Sequence, residues 1–276
     1  MPELPEVEQE RRRFAAVAAG RVVRRIEADP AIVRNTTPRA LDLALRGRRF
    51  GEPRRHGKRL LCPTEEGPTL LLRFGMTGGL VEGATGHPHP HDRLVLELDR
   101  GALRYRDQRK LGGVWLARDE AEAASLLAGL GPDALEVGRR AFLDRLSRRR
   151  GGVKAALMDQ GFVAGVGNLL ADEILWQAGV HPRTPLAALD PPVRDRLYRV
   201  LRRVLRTAVA RFDHHETQRR WLIRVRGEPG ARCPRCGTPL GRTVAAGRTT
   251  YFCPACQPPL SGPPAGDPRP TPAGGA

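Results

Sequence analysis

Four of the five cysteines stand in two Cys-x-x-Cys pairs, Cys233 with Cys236 and Cys253 with Cys256, with sixteen residues between the pairs. Each pair turns two thiolates to one side of a tight turn, and two pairs present four sulfurs to one tetrahedral ion. A closed, all-sulfur set suits one structural Zn2+ and leaves no open position for catalysis. Between the pairs, GTPLGRTVAAGRTTYF reads as two short β-prone stretches around Ala245 to Gly247, a ribbon hairpin with Arg248 near its tip. An arginine there is either solvated or a phosphate contact. Cys62 is left over as a small buried apolar residue.

The chain has 276 residues and a formal charge of +17, with arginine far outnumbering lysine. A charge of that size draws a protein to a polyanion through counterion release. Nucleic acid is the first candidate partner and an anionic membrane surface the second. No apolar run reaches the roughly 18 residues of a spanning helix, and the basic start and apolar stretch of a signal peptide are missing. The expected location is therefore the cytoplasm, in association with the nucleoid, with no membrane partner. A reducing compartment also favours metal over disulfides for the paired cysteines.

Along the chain, Pro5 suits a first helical turn, and Leu4, Val7, Phe14 and Val17 recur at helical spacing up to Gly20. From about residue 21 to 117 the pattern is one of short strands, including TLLLRF and the hairpin LVLELDRGALRYR, turned at Asp99 to Gly101. Beyond Gly131 and Pro132 the chain turns helical. Asp190 and Pro191 open a helix with Val193, Leu197, Val200, Leu201, Val204, Leu205 and Ala208 on one face. The arginines between them are expected to form a solvated face.

GVKAALMDQGFVAGVGNLLADEILWQAGVHP reads as a helix, a glycine-punctuated turn and a second helix starting near Asn168. Gly161, Gly165 and Gly167 permit close backbone approach or positive φ, and a helix N-terminus offers free amides to an anion. The turn could hold a phosphate or be only a turn; Lys154 and Asn168 are the candidate DNA contacts there. His87 and His89 in HPHPHD fit an extended loop better than a metal site.

MPELPEVE, HGK, FGMTG, DQRKLGG, GVGNLLADE and the terminal double Cys-x-x-Cys occur in one order. Together they resemble the formamidopyrimidine-DNA glycosylase and endonuclease VIII family of bacterial base-excision repair enzymes. The similarity covers about residues 1 to 210 and 230 to 257, and lies closer to the formamidopyrimidine-DNA glycosylases. It implies an α+β multidomain protein. Residues 1–131 would form a β-sandwich-like catalytic domain with an N-terminal helix, and 132–225 a helical helix-two-turn-helix domain. A four-cysteine β-ribbon zinc finger follows at 226–257, then a disordered Pro/Gly-rich tail at 258–276. The partner implied is damaged double-stranded DNA, bound by a monomer in the cleft between the domains.

The resemblance also assigns roles. Pro2, freed of Met1, would be the nucleophile on the sugar C1′, and Glu3 the proton donor to the ring oxygen. Lys58 would transfer a proton in β-elimination and contact phosphate, and Arg248 would serve δ-elimination. Met76 would fill the gap left by the everted nucleotide and Arg109 would face the orphaned base. His91 and Arg149 fall at DNA-contact positions. Leu111 stands where these enzymes carry a wedge phenylalanine, and RFDHHETQRRWLIRVRGEPGAR is shorter than their usual cover over an everted purine. The implied activity is excision of 8-oxoguanine and formamidopyrimidines with strand cleavage. The alternatives are an endonuclease VIII-like enzyme for oxidised pyrimidines, and an inactive zinc-containing DNA-binding protein. Without the resemblance, MPELPEVE would read as a helix start whose carboxylates meet the positive end of the helix dipole.

Overall fold

The structure, a computed structural model, describes residues 2–65, 67–83, 89–210 and 220–259. His87, residues 211–219 of the short segment ahead of the finger, and the tail from residue 260 lie outside the described residues. Helix α1 (Leu4–Ala18) is followed by β1 (Val23–Ala28), α2 (Pro38–Leu45), β2 (Arg54–His56) and β3 (Arg59–Pro63). Strands β4 (Thr69–Arg73), β5 (Gly79–Gly83), β6 (Asp92–Leu98), β7 (Ala102–Arg106) and β8 (Gly113–Ala117) complete two antiparallel four-stranded sheets. Their orders are β1-β6-β7-β5 and β2-β3-β4-β8. The turn between β6 and β7 closes where Leu98 N donates to the Gly101 carbonyl, 3.1 Å. Helix α2 falls within the stretch that reads as strands; Pro38 begins it and Thr37 caps it, its hydroxyl accepting from Ala40 N at 3.1 Å.

Alternation along the strands buries Leu60, Leu70, Leu72, Leu94, Leu96 and Leu103 in one core with Phe14, Phe50 and Tyr105. Phe14 and Phe50 meet edge to face at 5.0 Å. After α3 (Glu120–Leu127), a second core is built from α4 (Arg139–Ser147), α5 (Val153–Met158), α6 (Asn168–Ala178) and α7 (Pro191–Ala210). Helix α1 joins the two, because Leu4 is buried in the helical core while Val7, Phe14 and Ala18 are buried in the sheet core. The arginines of α7 are not merely solvated. Arg194, Arg196 and Arg202 donate to the carbonyls of Leu189, Ala178 and Leu135, capping or strapping neighbouring segments.

The seam between the sheets and the helical part carries a buried ion pair. Arg55 is bonded to both carboxylate oxygens of Asp133 and to Glu8, with 5% of its side chain exposed. Asp133 also accepts from Gly57 N at 2.7 Å and Leu135 N at 2.9 Å. Within the helical part, α6 buries Glu173, which accepts from Gln177 Nε2 at 2.7 Å and Ile223 N at 3.0 Å. Burial pushes this carboxyl up to about 7.

Two stability measurements follow. Asp133→Ala leaves Arg55 buried without its main partner and should lower unfolding stability in denaturant by roughly 3–5 kcal/mol. For Glu173, stabilisation of the folded state is complete below the ordinary value of 4.5 and is lost as pH rises through about 7. Glu173→Gln is neutral throughout, so its stability relative to the parent should improve by roughly 3 kcal/mol between about pH 4 and pH 8.

Candidate active site and DNA cleft

The glycine turn between α5 and α6 does receive an anion, but the anion is a side chain of the same protein. Both Glu3 oxygens accept from the start of α6: Gly167 N at 2.8 Å, Leu169 N at 2.8 Å and Leu170 N at 3.1 Å. Those are the orphan amides of a helix N-terminus, and the phosphate reading of this turn is corrected accordingly. The glycines are needed for closeness. A Cβ on Gly167 would lie 2.3 Å from the Glu3 carboxyl carbon, and one on Gly165, at φ +118°, 2.6 Å from the Leu4 side chain. Gln160 shapes the turn, accepting from Gly165 N at 3.0 Å and donating to the Val166 carbonyl at 2.8 Å.

Glu3 is 2% exposed, and burial raises its pKa although Lys58 and the α6 amides pull the other way. Lys58 is lowered by its own burial, partly offset by the carboxylates of Glu3 and Glu6. Each group therefore moves toward its neutral form. Glu6 also holds the chain end, accepting from Glu3 N at 2.9 Å. Pro2 and Lys58 open onto a cleft of about 400 Å³ that Arg59, Arg73, Met76, Leu111, Gly167 and Arg248 also line. Lys58 follows Gly57, whose backbone packs on Ala164 and is pinned by Asp133 across the seam.

At the rim, Met76 and Leu111 are among the few exposed large apolar side chains, at 44% and 42%. Arg109 lies beside Met76, its Nη1 3.3 Å from the sulfur. Asp107, which opens the DQRKLGG stretch but to which the sequence assigns no role, fixes both rim loops. Fully buried, it accepts from Thr77 Oγ1 at 2.6 Å, Gly112 N at 2.9 Å and Tyr105 Oη at 3.2 Å. His91 stands one residue ahead of β6, with its ring 5.4 Å from that of His89. Arg149 is ion-paired with Asp159 and lies over the Phe162 ring.

Lys154 is not placed as a DNA contact. It is fully buried, 2.6 Å from Asp172 Oδ1 and 2.6 Å from Thr250 Oγ1. Arg226 reaches the other Asp172 oxygen at 2.7 Å. From sequence Lys154 reads as a DNA contact because its buried counter-ion, Asp172, sits on a different helix. Asn168 is turned toward the finger, donating to the Thr249 carbonyl at 3.3 Å, with its Oδ1 buried and without a hydrogen-bond partner among the described residues.

The finger hairpin is β9 (Gly241–Ala245) and β10 (Arg248–Phe252), and Arg248 begins the second strand on the cleft side. The four cysteine sulfurs lie within 4.8 Å of one another. Cys236 is 3.5 Å from Cys253 and from Cys256, and Cys233 is 3.9 Å from Cys256. Zinc–sulfur bonds of about 2.3 Å place tetrahedral sulfurs about 3.8 Å apart, so the set fits one Zn2+. Trp176 of α6 donates to Cys233 Sγ at 3.3 Å, and Gln257 bridges Cys253 N to the Val180 carbonyl, docking the finger on α6. Among the described residues, no helix is long and apolar enough to cross a membrane.

Comparison with known proteins agrees with this arrangement segment by segment. Residues 1–114 match the formamidopyrimidine-DNA glycosylase N-terminal domain, 129–219 the formamidopyrimidine-DNA glycosylase H2TH domain, and 230–259 the zinc finger found in FPG and IleRS. The formamidopyrimidine-DNA glycosylase of Symbiobacterium thermophilum is 38% identical, over 94% of this chain and 90% of its own. That of Thermus thermophilus is also 38% identical, over 93% and 98%. Among solved structures, the complex of Lactococcus lactis Fpg with DNA containing an abasic site has a TM-score of 0.83 at 29% identity, covering 92% of this chain and 99% of that one. Three segments matched in order, over nearly the whole length of relatives that share one name, place this chain in the formamidopyrimidine-DNA glycosylase family.

Proposed function

We propose that the protein is a bifunctional DNA glycosylase and abasic-site lyase that removes oxidised purines, 8-oxoguanine and formamidopyrimidines, from double-stranded DNA. The observation that carries this reading is Pro2 and Lys58 opening onto one cleft, Lys58 with a lowered pKa, and after Pro2 in the chain the buried Glu3 with a raised one, its charge felt by Lys58. Once Met1 is removed, Pro2 has a secondary amine. Its lone pair attacks the sugar C1′, the glycosidic bond breaks, and that electron pair leaves with the base, which takes up a proton. Glu3 in its acid form gives its proton to the ring oxygen as the C1′–O4′ bond opens, leaving an iminium between Pro2 and C1′.

The iminium acidifies the C2′ hydrogen. Its removal, with Lys58 moving the proton, expels the 3′ phosphate in β-elimination. A second proton loss, served by Arg248, expels the 5′ phosphate in δ-elimination. Met76 fills the space of the everted nucleotide, a step that costs a few kcal/mol of unstacking, and Arg109 faces the unpaired base. His91, Arg149 and Asn168 would contact the strand flanking the lesion. The protein acts as a monomer, in the cytoplasm at the nucleoid. Relatives named formamidopyrimidine-DNA glycosylase support the purine preference, and the Lactococcus lactis structure supports DNA as the ligand. The short stretch RFDHHETQRRWLIRVRGEPGAR ahead of the finger favours a second reading, preference for oxidised pyrimidines, since the usual cover over an everted purine is longer.

Borohydride trapping on an abasic-site duplex tests the chemistry. Met-processed protein should give a covalent adduct, and protein with residues retained ahead of Pro2 should give none, because that nitrogen is then an amide. Glu3→Gln should lower base excision at least about 100-fold. No adduct from processed protein, or equal adduct from the extended one, would sink the mechanism. A panel of duplexes with 8-oxoguanine, formamidopyrimidine and oxidised pyrimidines decides the substrate, faster excision of pyrimidines selecting the second reading.

A further inference from the structure

Among the described residues, two arginines in the cleft have no counter-charge. The antiparallel register of β3 and β4, with Leu60 opposite Leu72, sets Arg59 beside Arg73 on neighbouring strands. Like charges opposite one another oppose sheet pairing. Their contacts are to neutral groups. Arg59 lies over the Trp115 ring at 4.8 Å and Arg73 over the same ring at 5.8 Å, while Arg73 Nη2 donates to the Leu111 carbonyl at 3.2 Å. Arg59 Nη1 is buried and has no hydrogen-bond partner among the described residues. Burial and the Arg73 charge together lower the Arg59 pKa to about 10, a measure of how far this pair lacks a partner.

The platform is built into the strand. Trp115 folds back across Gly113, where a Cβ would come within 2.6 Å of its ring, so β8 leaves room for the indole to lie under the guanidinium groups. A guanidinium stacked flat on an indole keeps its N–H edge free, and that edge matches two oxygens of a phosphodiester. Both arginines line the cleft that Pro2 and Lys58 open onto.

We infer that Arg59, stacked on Trp115 beside Arg73, completes a seat for a backbone phosphodiester of the damaged strand next to the nucleotide presented to Pro2. The inference rests on the glycosylase reading and deepens it. In the free protein an unpaired donor and repulsion across two strands are costs, which stacking on the Trp115 ring offsets only in part. One phosphate in this seat relieves both costs and uses the stacking platform. Arg59 then acts in binding the strand and not in proton transfer.

The test is equilibrium binding to a duplex carrying a tetrahydrofuran abasic analogue, measured over a range of salt concentrations, for the parent, Arg59→Gln and Arg59→Lys. Methylphosphonate is then placed at single positions along the damaged strand. Loss of one phosphate contact should weaken binding of Arg59→Gln by about tenfold at moderate salt and reduce the log–log salt slope by about 0.9. Arg59→Lys should fall between the two. One methylphosphonate position should weaken the parent by a similar factor and leave Arg59→Gln unchanged. Zinc content and thermal melting establish that each variant is folded, and if Arg59→Gln is not, the comparison is made with Arg59→Lys. Unchanged slope and additive methylphosphonate effects would overturn the seat. Failure of the parent to prefer the tetrahydrofuran duplex over an intact one would instead overturn the glycosylase reading.

Discussion

The bond between the Glu3 carboxylate and the first amides of α6 is the constraint on which the rest of the site depends. It ties the start of the chain to the helical part, since Glu3 precedes α1 while Gly167, Leu169 and Leu170 open α6. Because Leu4 is buried in the helical core and Val7 in the sheet core, α1 cannot shift without disturbing both. Pro2, one residue ahead, is thereby held at the cleft. Two opposing effects meet on this carboxyl. Three amides and the helix dipole favour the anion, and nearly complete exclusion of water favours the acid. Burial is the larger, so the group is both anchored and able to carry a proton.

The strong positive charge is distributed by a recognisable physical logic. Where arginine or lysine is buried for structure, it meets a carboxylate: Arg55 with Asp133 at the domain seam, and Lys154 and Arg226 with Asp172 under the finger. Removing one member of such a set strands the other in low dielectric, so these residues set geometry more than they add net stability. In the cleft the pattern reverses. Arg59 and Arg73 face each other, and Lys58 is close enough to Glu3 and Glu6 to feel their charge while its own burial drives it toward the neutral amine. The protein spends folding energy to keep cations under-compensated where a polyanion would lie.

Much of the fold was legible because its signals are local. Paired cysteines at fixed spacing give a tetrahedral sulfur set, Pro191 starts α7, and Asn168 starts α6 after a glycine turn. The hairpin of β6 and β7 follows from alternation and a short polar turn. What the sequence did not reveal depends on partners distant along the chain. Lys154 reads as a DNA contact until Asp172 and Thr250 enclose it, and the glycine turn reads as either a phosphate site or a plain turn until Glu3 occupies its amides. The arginines of α7 look solvated until the carbonyls of Leu189, Ala178 and Leu135 are found within reach. Asp107 opens the DQRKLGG stretch, but its importance to the rim loops comes only from the donors that converge on it, Thr77, Tyr105, Arg109 and Gly112. Helix α2 was hidden because a short amphipathic segment between strands has too few turns to display its period.

The most direct test of the central claim is the titration of the Glu3 carboxyl, followed by carbon NMR in protein labelled at the glutamate side-chain carboxyl carbons and assigned with Glu3→Gln. Anchoring on α6 with burial dominant requires the Glu3 resonance to titrate above the ordinary value of 4.5, in the intact folded protein. A midpoint at or below 4.5 would mean that the amides and Lys58 outweigh burial. Glu3 would then be a permanent carboxylate, unable to supply a proton near neutral pH.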